Sequence, residues 1–169
     1  MSYILKLIKN NFLLTLLSFM KSKNWVNRQK NDQFVKKAKQ LGYINRAAFK
    51  LEEIEQKYKI IEHSREILEL GSSPGGWTQV ILNYNSKTNI TCFDLLDMKM
   101  NNQRIAFYRE DFLKFNFTNL KNKFDLVLSD VAPNTTGHQS TDHLRISQLI
   151  YEVIDLSLIH ISEPTRRYN

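Results

Sequence analysis

The chain has 169 residues, a formal net charge of +7 and 42% hydrophobic residues, which suits one packed domain and excludes a disordered polymer. Its single cysteine, Cys92, excludes a disulfide framework within the chain. The four histidines have no metal-ligand spacing, so we expect no metal site.

The positive charge is concentrated at the start of the chain. Residues 1–50 contain eleven Lys or Arg residues and a single acid, Asp32, whereas residues 51–169 contain thirteen bases and sixteen acids. A basic arm on a mildly acidic body indicates a polyanionic partner for the arm alone. A solvated charged surface, or a targeting peptide that raises the count, is the alternative.

The first 31 residues contain six bases and no acid, and residues 12–20 form an apolar patch. Nine apolar residues are too few to span a bilayer, so we expect no stable membrane span. A basic, acid-free, amphipathic start is typical of an import peptide. We therefore expect residues 1–21 to target a mitochondrion or related organelle. A secretory signal competes with this interpretation, and the cytoplasm or nucleus is the alternative location.

Two helices are predicted next, over residues 31–43 and 45–60. Asp32 is a candidate cap for the first helix, and Gly42 a candidate end. Between residues 21 and 50, bases alternate with aromatic residues, a mixture that suits a nucleic-acid backbone with bases available to stack. We expect this stretch to contact RNA, although most such aromatic residues belong to a core.

Lys50 interrupts the apolar face of the second predicted helix. Ala47, Leu51, Ile54 and Tyr58 recur at helical spacing, and Lys50 falls on the edge of their stripe. A lysine at such a boundary usually lays its stem along the core and extends its ammonium into water. The stretch alone therefore favours a structural role for Lys50.

From residue 66 onward, short apolar strands alternate with helices. Strands are predicted over 66–70, 89–93, 104–108 and 124–129, with helices beginning at 77 and spanning 141–158. This alternation predicts an α/β fold, with a mostly parallel sheet and helices on both faces. Ligands of such sheets bind beyond the carboxyl ends of the strands.

Chemistry-bearing residues follow the ends of these predicted strands. The glycine-rich turn "GSSPGG" follows the first strand, and its spacing fits neither the dinucleotide fingerprint nor a phosphate loop. Asp94 is placed to accept the hydroxyls of a ribose, and Asp111 to accept from an adenine amino group. The alternatives are that the glycine-rich turn binds no ligand and that Asp94 and Asp111 are helix caps or turn residues. A nucleoside without a pyrophosphate points to S-adenosylmethionine.

Five motifs in this order resemble those of one family, the FtsJ/RrmJ-like ribosomal RNA 2′-O-methyltransferases. They are "RAAFKL", "ELGSSPGGWTQV", "DLLDM", "EDF" and "SDVAPNTTG". The resemblance covers residues from about 22 to 157 and leaves out the first 20. It implies a Rossmann-like, S-adenosylmethionine-dependent methyltransferase fold with residues 22–157 as its domain.

The resemblance also implies roles for individual residues. Gly75 and Trp77 line the methionine and adenosine site, Asp94 binds the ribose and Asp111 binds the adenine. Asp130 lies at the methionine end beside the transferring methyl, and Lys50 and Asp130 match the first lysine and the aspartate of the family's catalytic set. In this chemistry a base must take the proton of a ribose 2′-hydroxyl. A lysine can serve as that base, and an aspartate can orient the lysine. No metal is required.

The chain departs from the family after residue 157. The second lysine and the glutamate of the catalytic set find no match in "LSLIHISEPTRRYN", so residues 158–169 are interpreted as an atypical tail on an incomplete domain. Without the C-terminal strands, the sheet is expected to keep a bare edge, an aggregation liability. The chain as written is therefore expected to be poorly stable and weakly active.

The expected function is methylation of a ribose 2′-hydroxyl in ribosomal RNA, most naturally a uridine of the large subunit. Transfer-RNA 2′-O-methylation is the alternative within the family. A noncatalytic RNA-binding or ribosome-assembly protein is the alternative outside enzymology, since part of the catalytic set is missing. The chain is expected to be a monomer that binds ribosomal RNA or the large subunit through residues 21–50.

Overall fold

The computed structural model describes residues 13–15, 33–120, 123–131 and 138–160. Within these residues, five strands form one sheet in the order β1-β5-β2-β3-β4, and each pairing is parallel. The strands are β1 (Leu13–Thr15), β2 (Glu66–Leu70), β3 (Asn89–Phe93), β4 (Ile105–Tyr108) and β5 (Leu126–Ser129). The α-helices are α1 (Gln33–Gln40), α2 (Ala48–Tyr58), α3 (Gly76–Tyr84) and α4 (Gln139–His160). Two 3₁₀ turns follow β4, at Phe112–Lys114 and Phe117–Leu120.

The predicted elements are present, with differences at their ends. β2 and β3 have the predicted bounds, whereas β4 and β5 begin one and two residues late. α2 begins three residues late because Asn45 Oδ1 accepts from Ala47 N at 3.1 Å and holds the preceding residues in a turn. α1 ends at Gln40, three residues before its predicted bound, and Gly42, its candidate end, follows with φ 76. Asp32, its predicted cap, lies outside the described residues.

Helices cover both faces of the sheet, as predicted. Side chains alternate along a strand, so Ile67 and Leu68 of β2 enter different cores. One core packs α2 and α3 against the sheet, and it contains Leu51, which is fully buried. The other packs α4 and the 3₁₀ turns against the opposite face, through side chains such as Val153. The stripe predicted for α2 therefore faces the sheet.

In the described chain β1 covers the edge of β5 that was expected to be bare, and β1 is then the outer strand of the sheet. β1 pairs with β5 in parallel, with Leu13 opposite Val127 and Thr15 opposite Ser129. A strand edge with unpaired amides and carbonyls readily takes up another extended segment. Here that segment comes from the apolar patch that the sequence places in the targeting peptide, so β1 lies before the predicted domain boundary.

In the described parts of the chain, no helix is both long and apolar enough to cross a membrane.

Candidate functional site

The carboxyl ends of three neighbouring strands bring together the glycine-rich turn, Asp94 and Asp130. Gly71 N donates to Phe93 O at 2.8 Å, which aligns the ends of β2 and β3. Asp130 N donates to Leu70 O at 3.2 Å, which aligns the ends of β5 and β2. The glycine-rich turn, Asp94 and Asp130 therefore follow adjacent strand ends, where parallel sheets bind ligands.

The glycine-rich turn requires glycine at two positive-φ positions. Gly71 has φ +78, and a Cβ there would lie 2.7 Å from Val131 Cγ2. Gly75 has φ +112, and a Cβ there would lie 2.9 Å from Met100 Cγ. A side chain at either position would meet both strain and a close contact, so the turn keeps its backbone bare. Bare backbone at the start of α3 is what allows a ligand to approach the amides.

Asp94 joins two loops at this edge. Its Oδ2 accepts from Ser73 N at 2.8 Å, and its Oδ1 accepts from Leu96 N at 2.8 Å. Each carboxylate oxygen has a second lone pair, so this arrangement leaves acceptor capacity for ribose hydroxyls. The hydrogen bond to Ser73 also fixes the carboxylate relative to the glycine-rich turn.

Asp111 serves as a cap, the alternative that its position after a strand allowed. Its Oδ1 accepts from Leu113 N at 3.1 Å, and its Oδ2 lies 3.7 Å from Lys114 Nζ. The carboxylate thereby starts the first 3₁₀ turn. Binding of an adenine amino group by Asp111 stays a prediction.

The indole of Trp77 packs in the core rather than on the site. The residue is 3% exposed, and Nε1 donates to Ala47 O at 2.8 Å. This bond joins the first turn of α3 to the residue before α2, the helix that carries Lys50. Any contact of Trp77 with a bound nucleoside would therefore involve its backbone. Nothing in the sequence pattern distinguished this role from a pocket-lining one.

Lys50 and Asp130 form an ion pair across 80 residues of chain. Lys50 Nζ lies 3.2 Å from Asp130 Oδ1, and the two side chains are 32% and 19% exposed. Burial raises the pKa of Asp130, and the charge and hydrogen bond of Lys50 act in the opposite direction. The structure thus brings together the two residues that the sequence selected as catalytic. Their roles in a reaction stay predictions.

Sequence reasoning missed a buried acid, Glu69, which lies one residue before the carboxyl end of β2. Glu69 of β2 is 1% exposed; Thr78 Oγ1 donates to its Oε2 at 2.7 Å, and Cys92 Sγ lies 3.7 Å away. Burial raises the pKa of Glu69 to about 8, the charge of Asp130 also raises it, and the two hydrogen bonds lower it. Burial likewise raises the pKa of Cys92. The available signal was a glutamate inside the apolar strand "EILEL".

Among the residues that the structure describes, no group of three or more His, Cys, Asp or Glu side chains is placed to hold a metal ion.

Comparison with known proteins identifies the family and several relatives of the chain. The model of the FtsJ-like methyltransferase family matches residues 43–164. Ribosomal RNA large subunit methyltransferase E of Rickettsia bellii is 38% identical over 147 residues, which cover 81% of this chain and 65% of that protein. The protein of the same name from Bradyrhizobium diazoefficiens is 40% identical over 140 residues, covering 78% of this chain and 61% of that protein.

A solved structure agrees with the sequence relatives. A ribosomal RNA methyltransferase from Plasmodium falciparum superposes with a TM-score of 0.61 at 27% identity, covering 71% of this chain and 73% of that one. The chain spans 60–65% of the length of the first curated relatives it matches. Because the family model matches well over half of its residues, the chain belongs to the FtsJ-like methyltransferase family.

Proposed function

We propose that the chain is an S-adenosylmethionine-dependent methyltransferase that acts on a ribose 2′-hydroxyl of ribosomal RNA, with a uridine of the large subunit as its target. The observation that carries the proposal is the Lys50–Asp130 pair beside the glycine-rich turn. The names of the relatives support the choice of large-subunit ribosomal RNA.

The residues of the site fit S-adenosylmethionine. Gly71 and Gly75 allow a tight turn in which a Cβ would meet Val131 or Met100, and Asp94 retains acceptor capacity at the end of β3. We assign the cofactor to Gly75, Trp77 through its backbone, Asp94, Asp111 and Asp130. When bound, S-adenosylmethionine would supply an electrophilic methyl group on a sulfonium.

Lys50 and Asp130 then have complementary tasks. Lys50 would act as the base that takes the proton of the 2′-hydroxyl, and bound S-adenosylmethionine would supply the methyl group that the oxygen receives. Asp130 holds the Lys50 side chain in position through the 3.2 Å contact. Trp77 contributes indirectly, since its bond to Ala47 positions the start of α2. Alignment of oxygen, carbon and sulfur supplies much of the rate enhancement in such transfers.

The test is transfer of a tritiated methyl group to large ribosomal subunits by the full chain and by Lys50→Ala. We expect Lys50→Ala to lower the transfer rate by at least about a hundredfold, the usual contribution of a positioned base. Calorimetry should give unchanged affinity for S-adenosylmethionine and no binding of NAD.

Lys59→Ala is the matched control, because Lys59 is an exposed lysine at the end of the same helix, 3.6 Å from Glu62. It should transfer methyl groups at the wild-type rate. Unchanged transfer by Lys50→Ala would remove Lys50 from the mechanism. Transfer to transfer RNA in place of ribosomal RNA would overturn the substrate assignment.

We also propose that the protein acts in a mitochondrion or related organelle, on the basis of six bases and no acid in residues 1–31. Residues 13–15 form β1, so cleavage after residue 21 would remove a strand. A fluorescent fusion of residues 1–31 should enter the organelle. A fusion that stays in the cytoplasm or nucleus would contradict the assignment.

A further inference from the structure

The basic arm contains aromatic residues with different surroundings. Tyr43 and Phe49 are half-buried and pack edge to face, with ring centroids 5.5 Å apart. The Tyr43 hydroxyl also donates to Glu52, which holds that ring in place. These two rings therefore belong to the packing between the α1–α2 segment and α2.

Phe34 differs from them because its ring reaches solvent. The residue is 59% exposed, and its ring lies 6.2 Å from that of Phe49 at an angle of 58°. Phe49 immediately precedes Lys50 on α2. One contact of this exposed ring is therefore the ring of Phe49, whose chain neighbour is the proposed catalytic base.

The surroundings of Phe34 are basic. α1 carries no acidic residue, and its three lysines, Lys36, Lys37 and Lys39, are exposed. Lys37 Nζ lies 5.4 Å from the centroid of the Phe49 ring, which places a cation beside the same aromatic pair. Glu53, one turn beyond Phe49 on α2, is an exposed acid, and Glu52 beside it is half-buried and accepts from the Tyr43 hydroxyl, so α1 presents three lysines against two acids.

We propose that Phe34 is a stacking platform for an unpaired base of the RNA substrate, with the lysines of α1 contacting the flanking phosphates. The inference rests on the proposed function and names the surface that receives the RNA. An exposed aromatic ring within a cationic surface is the combination that binds single-stranded nucleic acid, because each base has a π face. A protein partner would require no stacking and would leave RNA affinity independent of the ring.

The experiment measures affinity of the full chain for a single-stranded oligouridine of about ten nucleotides that carries one 2-aminopurine. Phe34→Leu keeps an apolar side chain and removes the π face. It should weaken binding roughly tenfold and abolish the stacking-dependent quench of 2-aminopurine, with no change in the salt dependence of affinity. Phe34→Trp should retain both binding and quench.

Two further variants separate stacking from charge and from general exposure. Lys37→Gln should reduce the slope of log affinity against log salt concentration by about 0.7, with the quench retained. Tyr151→Leu is the matched control, since Tyr151 is an aromatic residue of α4 that is 67% exposed and is followed by Glu152. It should bind the oligonucleotide as the wild type does.

The outcomes separate this inference from the proposed function. Wild-type affinity and quench in Phe34→Leu, or an equal loss in Tyr151→Leu, would overturn the platform. Loss of oligonucleotide binding in Phe34→Leu supports it, even in a chain that transfers no methyl group to ribosomal subunits. Absence of methyl transfer would contradict the methyltransferase proposal and would leave the proposed stacking platform unaffected.

Discussion

Asp130 occupies an environment in which its charge needs a partner. Its side chain is 19% exposed, and burial raises its pKa towards the neutral form. Lys50 counters this from 3.2 Å away, so removal of the lysine leaves a partly buried carboxylate without its cation. The two residues thus depend on each other before any substrate is present, which is why the Lys50→Ala experiment includes a binding measurement.

Glu69 makes the stability of the protein depend on pH. Its pKa is raised from 4.5 to about 8, so the folded state binds more protons than the unfolded state between those values. The free energy of unfolding must then fall as the pH rises from about 4.5 to 8, by a total on the order of a few kcal/mol. The stabilisation that the protonated Glu69 gives is fully present below pH 4.5, the pKa in the unfolded state. It is lost as the pH rises through about 8, the pKa in the folded state.

Glu69→Gln should flatten this pH dependence. Glutamine has nearly the same shape, stays neutral and can still accept from Thr78 Oγ1. Urea unfolding of both proteins at several pH values is the measurement. Parallel stability profiles for wild type and Glu69→Gln would contradict the assignment of a neutral carboxyl to Glu69.

At the scale of elements, glycines determine how strands and helices are joined. Gly42 and Gly71 have almost the same φ, +76 and +78, yet their surroundings differ. Gly42 has no atom within 4 Å of an added Cβ, whereas a Cβ on Gly71 would meet the side chain and backbone of Val131. Substitution of Gly42 therefore tests backbone strain alone, whereas substitution of Gly71 tests strain together with steric overlap.

Gly42→Ala should lower the free energy of unfolding by about 1 kcal/mol, the cost of the left-handed conformation for a residue with a Cβ. Gly71→Ala should cost at least about 1 kcal/mol more, because overpacking against Val131 adds to that strain. Denaturant titrations of both variants measure the difference. Equal losses would mean that the β2–α3 turn moves to accommodate a methyl group.

At the scale of the whole molecule, β1 links the beginning of the chain to a strand more than a hundred residues later. Its three residues pair with Val127, Leu128 and Ser129 on the edge of β5. The edge that this pairing covers would otherwise present backbone donors and acceptors to other molecules. The amino-terminal segment therefore has a role in the sheet that is independent of any targeting role.

Removal of residues 1–15 should expose the β5 edge and shift the chain, which we expect to be a monomer, towards larger species that light scattering detects. Removal of residues 1–11 is the matched control, since it leaves Leu13–Thr15 in place. The shorter deletion should remain monomeric and unfold at the wild-type temperature. If both truncated chains stay monomeric and equally stable, β1 contributes nothing to the protection of that edge.

The sequence by itself determined the order of the helices and strands from residue 33 onward and the residues at the strand ends. β2 and β3 were predicted with their observed bounds, because short apolar runs bounded by turn residues are local signals. Asp94 could be selected from its position after a strand, and Lys50 and Asp130 from motifs that resemble those of the family. None of these inferences required knowledge of which segments touch.

Only the tertiary structure decided what depends on distant contacts. Pairing of β1 with β5, the raised pKa of Glu69, the inward orientation of the Trp77 indole and the exposure of Phe34 all result from packing between distant segments. Burial and hydrogen-bond partners set these properties, and residue type leaves them open. A motif can therefore name the residues of a site, whereas the fold determines which of them face a ligand and which hold the others in place.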